Sequence, residues 1–128
     1  MEATEILQVA QHADDLDRAS AFYEALLGGP PAARFDPPGL VFFNVGISRL
    51  LLEAGAPSAL IYLQVDDVYR AVESLRARGV EIVSEPHIIF SHTNDTLGPA
   101  GTDEMMAFIR DSEGNTVGLV SHEPRHDP

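Results

Sequence analysis

Gln8-Val9-Ala10-Gln11-His12-Ala13-Asp14-Asp15-Leu16-Asp17-Arg18-Ala19 aligns without a gap on Leu60-Ile61-Tyr62-Leu63-Gln64-Val65-Asp66-Asp67-Val68-Tyr69-Arg70-Ala71. Each copy opens on a short apolar strand, passes through an Asp-Asp pair and enters a helical pattern. In the first, Leu16, Ala19, Phe22, Tyr23, Leu26 and Leu27 recur at three- and four-residue steps; in the second, Val68, Ala71, Val72 and Leu75 do the same. An Asp stands just before each helical run, where a side-chain oxygen can cap the first free N–H groups, and Gly28 and Gly79 follow as stops. Helix capping therefore accounts for the Asp-Asp pairs without a catalytic role.

After each helical run the pattern changes to short strands punctuated by turn residues. The first half predicts strands at Ala33 to Phe35, Leu40 to Val45 and Leu50 to Glu53, with a turn at Gly46. The second predicts a short strand at Glu81 to Val83, then Met105 to Arg110 and Thr116 to His122 around the turn Asp111-Ser112-Glu113-Gly114-Asn115. Each half reads βαβββ, giving an α+β chain of two such modules, at about 4–54 and 58–123, joined at Gly55-Ala56-Pro57-Ser58. Neither half is large enough to bury an adequate core alone, so residues 1–128 are expected to form a single domain.

Composition narrows the function classes. Twenty acidic residues against eight arginines and no lysine give a formal charge of −12. A nucleic-acid binder needs a basic face to displace counterions, and an anionic membrane needs the same, so neither partner is expected. No apolar run has the length of a membrane helix. The acidic start, Met1-Glu2-Ala3-Thr4-Glu5, is unlike a signal peptide, which points to a cytoplasmic protein. With no cysteine there is no disulfide, thiolate nucleophile or thiolate metal site. A neutral or cationic small molecule suits this charge best.

The paired βαβββ modules, the opening Asp15-Leu16-Asp17-Arg18-Ala19 with Phe22-Tyr23 and Leu27-Gly28, and the closing Phe108-Ile109-Arg110-Asp111-Ser112-Glu113-Gly114-Asn115 together resemble the vicinal oxygen chelate superfamily. That group includes glyoxalase I, methylmalonyl-CoA epimerase, extradiol dioxygenases and the fosfomycin and bleomycin resistance proteins. The resemblance implies half-open sheets around a cleft, and in many members a divalent ion held by His, Glu or Gln from the first and last strands of each module. Position by position, it puts those ligands at Gln8, at Leu51 or (two residues along) Glu53, at Leu60 and at Gly118. Gln8 is acceptable and Glu53 is conceivable, but Leu60 and Gly118 offer no donor. About three protein ligands are needed for a catalytic ion, so no metal and no other cofactor is expected at these positions.

Alternation along strands still places Gln8 and His12, Leu51 and Glu53, Leu60, Tyr62 and Gln64, and Gly118 on inward faces. These are the expected ligand-binding residues, polar groups set in an apolar surface. His12 and Glu53 are the candidate acid-base groups; His12 beside Asp14 and Asp15 also fits a rim histidine bonded to its neighbours. Tyr62 fits a packed aromatic with a wet hydroxyl. Ser84 to Glu104, which contains Pro86, Gly98, Pro99 and Gly101, reads as the least regular part of the chain. It is expected to be either a flap bringing His87, Phe90 and His92 to the ligand or a hairpin extension, with His87 and His92 on the surface. His122-Glu123-Pro124-Arg125-His126 has the letters of the HExxH zinc motif, but Pro124 and its place after a strand rule out the helix that the motif requires.

Three functions fit. The first is a metal-independent small-molecule binder similar to the bleomycin resistance branch, although the absence of tryptophan argues against bleomycin itself. The second is a metal-dependent lyase, epimerase or dioxygenase using Gln8, Glu53 and a loop histidine. The third is an interaction module with a filled pocket. The first is the expectation adopted, with a homodimer formed over the exposed sheet edges.

Overall fold

The computed structural model describes residues 1–125. Its elements run β1 (Gln8–His12), α1 (Leu16–Leu27), β2 (Ala33–Phe35), β3 (Leu40–Val45), β4 (Ser48–Glu53), β5 (Ile61–Gln64), α2 (Val68–Ala77), β6 (Ile82–Ser91), β7 (Thr102–Arg110) and β8 (Thr116–Pro124). The chain is α+β, with βαβββ twice over. It divides into two compact units, one of residues 1–59 with the turn Ser112–Asn115, the other of Leu60–Asp111 with the chain from Thr116 onward.

The first unit holds a four-stranded sheet in the order β1-β4-β3-β2, with β1 and β4 parallel and the other pairs antiparallel. Val9, Gln11, Val41, Phe43, Leu50 and Leu52 share one face by register. α1 covers that face with Ala19 and Tyr23, both fully buried. The helix starts where expected: Asp15 accepts the Arg18 N–H at 3.0 Å, and Gly28 ends the helix at φ 81°, a conformation that costs other residues a Cβ clash.

The second unit repeats the plan as β5-β8-β7-β6, with β5 and β8 parallel. Val68, Val72 and Leu75 of α2 are buried, as are Met105, Ala107, Ile109, Val117 and Leu119 on the sheet. Asp67 caps α2, accepting the Tyr69 and Arg70 N–H groups at 2.9 and 3.3 Å. No helix among the described residues is long and apolar enough to cross a membrane.

Of the two readings of Ser84 to Glu104, the structure has the hairpin extension: β6 runs on to Ser91 and β7 begins at Thr102, with an irregular connection at 92–101. The continuation of β6 past Val83 was not expected. Pro86 concealed it. Proline removes a ladder donor and argues against a central strand, but β6 is the edge of its sheet, and the pairing slips around Pro86, between Ser84 and His87.

Candidate functional site

Each sheet has a second face that its helix leaves open. In the first unit the register aligns Gln8 with Arg49, Ala10 with Leu51 and His12 with Glu53, and carries the face on through Phe42 and Asn44. The expected grouping of Gln8, His12, Leu51 and Glu53 is therefore present. The face is polar at both ends and apolar between them. At one end Arg49 donates from Nε to Gln8 Oε1 at 3.2 Å and lies 5.7 Å from the centre of the Phe42 ring. Arg49 and Phe42, with Ala32, Ala33, Phe35 and Asn44, line an open groove of about 280 Å³. Phe35 and Phe42 meet edge to face at 6.0 Å.

At the other end are Glu53 and His12. His12 Nε2 lies 3.1 Å from Asp14 Oδ1, and its Nδ1 lies 3.0 Å from the Ala56 carbonyl. Both ring nitrogens thus face acceptors, which favours the doubly protonated ring. The hydrogen bond to Asp14 is the main cause of an imidazole pKa above its ordinary value. While both contacts are kept, no lone pair is free to take a proton from a substrate. These are the contacts of a rim histidine bonded to its neighbours.

In the second unit Tyr62 pairs with Gly118 and Gln64 with Val120, and Phe108 lies opposite Gly118 on the far side of β8. Tyr62 is 52% exposed and its ring meets Phe108 edge to face at 5.9 Å. A Cβ at Gly118 would come within 2.5 Å of Tyr62 Cδ1 and 3.2 Å of the Phe108 ring. The glycine is there because the tyrosine ring lies over it. Leu60 and Gln64 are both exposed. On β6, His87 is exposed and holds its own neighbour's carbonyl, that of Glu85, through Nδ1 at 2.8 Å. Phe90 is half exposed and stands edge-on to His92, with ring centres 4.8 Å apart.

His92 departs from expectation. It is not a surface histidine but 1% exposed, and its Nε2 lies 3.0 Å from Glu104 Oε1. His122 Nε2 approaches the same oxygen at 3.1 Å. His122 sits in β8, an extended strand, as the rejection of the HExxH pattern requires; His126 lies outside the described residues. The signal that could have found this trio was strand parity. Glu104 and His122 are cross-strand partners on the face that also carries Gly118. Treating 84–104 as a loop hid the pairing.

The sequence signature of the Glyoxalase/Bleomycin resistance protein/Dioxygenase superfamily matches residues 5–119. The chain belongs to this superfamily. It is 26% identical to a lactoylglutathione lyase of Arabidopsis thaliana over 95% of its own length, and it spans a little under half the length of that relative (46%). Among solved structures, a lactoylglutathione lyase from Agrobacterium tumefaciens superposes with a TM-score of 0.67 at 26% identity, covering 94% of this chain and 96% of that one. A glyoxalase/bleomycin resistance protein/dioxygenase from Alicyclobacillus acidocaldarius gives 0.64 at 17% identity, covering 92% and 91%, and supports the fold alone.

The divalent ion of metal-dependent superfamily members does not fit the corresponding positions here. Leu51 and Leu60 present hydrocarbon, and Gly118 has no side chain and is covered by Tyr62. Gln8 already accepts from Arg49, whose cationic head would oppose an ion beside it. Glu53 is the one carboxylate among these positions, and one carboxylate with a neutral amide falls short of a coordination sphere.

Proposed function

We propose that this superfamily member binds a small organic molecule on the helix-free faces of its two sheets without a metal at the superfamily's usual positions. Gln8, His12, Leu51 and Glu53 serve on the first module, and Leu60, Tyr62, Gln64 and Gly118 on the second. His87 and Phe90 contribute from the β6–β7 hairpin. The observation that carries this reading is the Tyr62 ring lying over Gly118, which turns a ligand position for metal into an aromatic wall. The polarity of the first module's face describes the molecule: an apolar middle, an acceptor group facing Arg49 and Asn44, and a neutral or cationic group facing Glu53. The chain's net charge of −12 favours a ligand that is neutral or cationic overall. A cytoplasmic homodimer fits the same reading; Ile88 and Ile89 are exposed on edge strand β6, a surface that a second copy would cover.

The second reading is a metal-dependent lyase, epimerase or dioxygenase using Gln8, Glu53 and a histidine, and the 26% identity to lactoylglutathione lyases favours it. Thermal unfolding of chelator-stripped protein against a panel of small aromatic amines, amides and carboxylates separates the two. Expected is at least one compound that raises the Tm equally with and without added divalent metal, with the shift lost in Leu51→Trp. A compound-dependent shift that appears only after metal is added, and that persists in His122→Asn, would favour the enzyme.

A further inference from the structure

The second module gathers two histidines and a glutamate four residues along β8 from Gly118. We infer that His92, Glu104 and His122 bind one divalent transition-metal ion of the zinc type through His92 Nε2, a Glu104 carboxylate oxygen and His122 Nε2. The three donor atoms lie within 4.8 Å of one another, on a buried histidine and two side chains about 20% exposed (Glu104 20%, His122 19%). Each belongs to the β-hairpin or its partner strand. His92 follows β6 and is tied into the ladder by its N–H to the Thr102 carbonyl at 2.8 Å, while Glu104 and His122 are direct partners on β7 and β8. Strand backbone thus fixes where all three side chains start.

The distances suit an ion. Both histidine nitrogens crowd one carboxylate oxygen, at 3.0 and 3.1 Å. Around a four-coordinate ion with bonds of about 2.0–2.2 Å, neighbouring donors stand about 3.3–3.5 Å apart, so each histidine nitrogen need draw back from the carboxylate oxygen by only a few tenths of an ångström. Two imidazoles and one carboxylate form a three-donor set that leaves a coordination position open, and the set favours zinc or a neighbouring first-row ion over magnesium or calcium. On binding, each imidazole presents the Nε2 lone pair and carries its proton on Nδ1.

The surroundings form a second, independent observation. Gly98, in the connection between β6 and β7, passes so close that a Cβ there would lie 2.8 Å from His92 Nε2 and 3.0 Å from His122 Nε2. A side chain at this position would enter the space between the two donor nitrogens. Phe90 packs edge-on against the His92 ring and gives the site an apolar side. Arg125 Nη2 donates to the His92 carbonyl at 2.8 Å, and its charge is met by Asp103 Oδ1 at 3.6 Å rather than directed at the donors. His122 lies four residues beyond Gly118 on β8, about 13 Å along an extended strand. The site is thus separate from the superfamily's metal position on β8, and its donors are not among the residues of the proposed ligand site.

Titration of the chelator-stripped protein with zinc sulfate tests the inference, read by calorimetry and by bound metal after gel filtration. Expected is one equivalent per chain, with affinity lowered about 100-fold or more in Glu104→Gln and in His122→Asn. Gly98→Ala is expected to weaken binding as well, and Glu85→Gln on the same hairpin, whose carboxylate pairs with Arg76, to leave it unchanged. Far-ultraviolet circular dichroism of each variant separates lost binding from lost folding, and Glu104→Gln, which keeps shape and hydrogen bonding, is the deciding variant. Failure of the wild-type protein to take up zinc saturably overturns the inference, as does undiminished uptake by a folded Glu104→Gln variant.

Discussion

Replacing Glu113 by Gln is expected to destabilise the protein by on the order of 2 kcal/mol at neutral pH, an effect that dwindles toward pH 2 and vanishes below it. Glu113 stands in the β7–β8 turn, its side chain closed off from solvent, and binds the start of α1. Its Oε1 accepts the Asp15 N–H at 2.9 Å and Arg18 Nη2 at 3.1 Å; its Oε2 accepts Arg18 Nε at 2.7 Å and the Ser112 hydroxyl at 3.0 Å. The Arg18 hydrogen bonds are the largest of the influences that hold its pKa down to about 2 from 4.5. Undiminished, that shift corresponds to about 3 kcal/mol, and the half-exposed Arg18 reduces it through solvent screening. Because the folded-state pKa is the lower one, the contribution is complete well above pH 4.5, falls as pH drops, and is lost only below about pH 2. Urea unfolding of both proteins across this range measures it. A stability gap that stays constant with pH would mean that Glu113 acts through packing rather than charge.

Gln11→Ala is expected to cost on the order of 3 kcal/mol, and Gln11→Leu, which keeps the volume, on the order of 2 kcal/mol. Gln11 is fully buried on the helix-covered face of β1. Its amide meets both polar groups of one backbone unit: Nε2 donates to the Ala59 carbonyl at 2.9 Å and Oε1 accepts the Ala59 N–H at 2.7 Å. Either substitution leaves those two groups without their partner, and alanine adds a cavity. Equilibrium unfolding reads the loss, and hydrogen exchange at the Ala59 amide should rise with it. If Gln11→Leu matched wild type in stability, the amide pair would contribute nothing net.

These two residues also mark what the chain discloses before it folds. The duplicated strand-Asp-Asp-helix segment was legible because its causes are local: Asp15 and Asp67 cap the turns that follow them, and Gly28 ends the first helix with a positive φ. The closing motif through Asn115 was legible as a resemblance, but its physical reason was not. Glu113 and Asn115 act on Arg18, Asp15 and the His12 carbonyl, the last at 2.8 Å from Asn115 Nδ2, and no periodicity joins residues so distant in sequence. Gln11 shows the same limit. Alternation places it opposite Gln8 and His12, on the core side, yet its partner is a backbone unit that only the folded chain brings near. The histidine cluster was lost differently. Pro86 is read as a strand breaker, whereas an edge strand tolerates it, and once β6 ended early the pairing of Glu104 with His122 could not be counted out.

The helix-free faces owe their expected membership to parity alone; the register aligns Gln8 and His12 with Arg49 and Glu53, and Tyr62 with Gly118, while Leu60 lies just before β5. Parity could not reveal that Tyr62 lies over Gly118, or that Arg49 takes the Gln8 amide. Both contacts bear on chemistry. They replace donors with an aromatic ring and a cation at two positions where relatives with an ion need ligands.

Zinc titration of the chelator-stripped His122→Asn protein tests that replacement most directly, because it silences the histidine cluster and leaves the superfamily's positions untouched. No saturable uptake is expected. One equivalent of zinc retained by this variant and then released by Glu53→Gln or Gln8→Ala would contradict a binding face without its superfamily's metal.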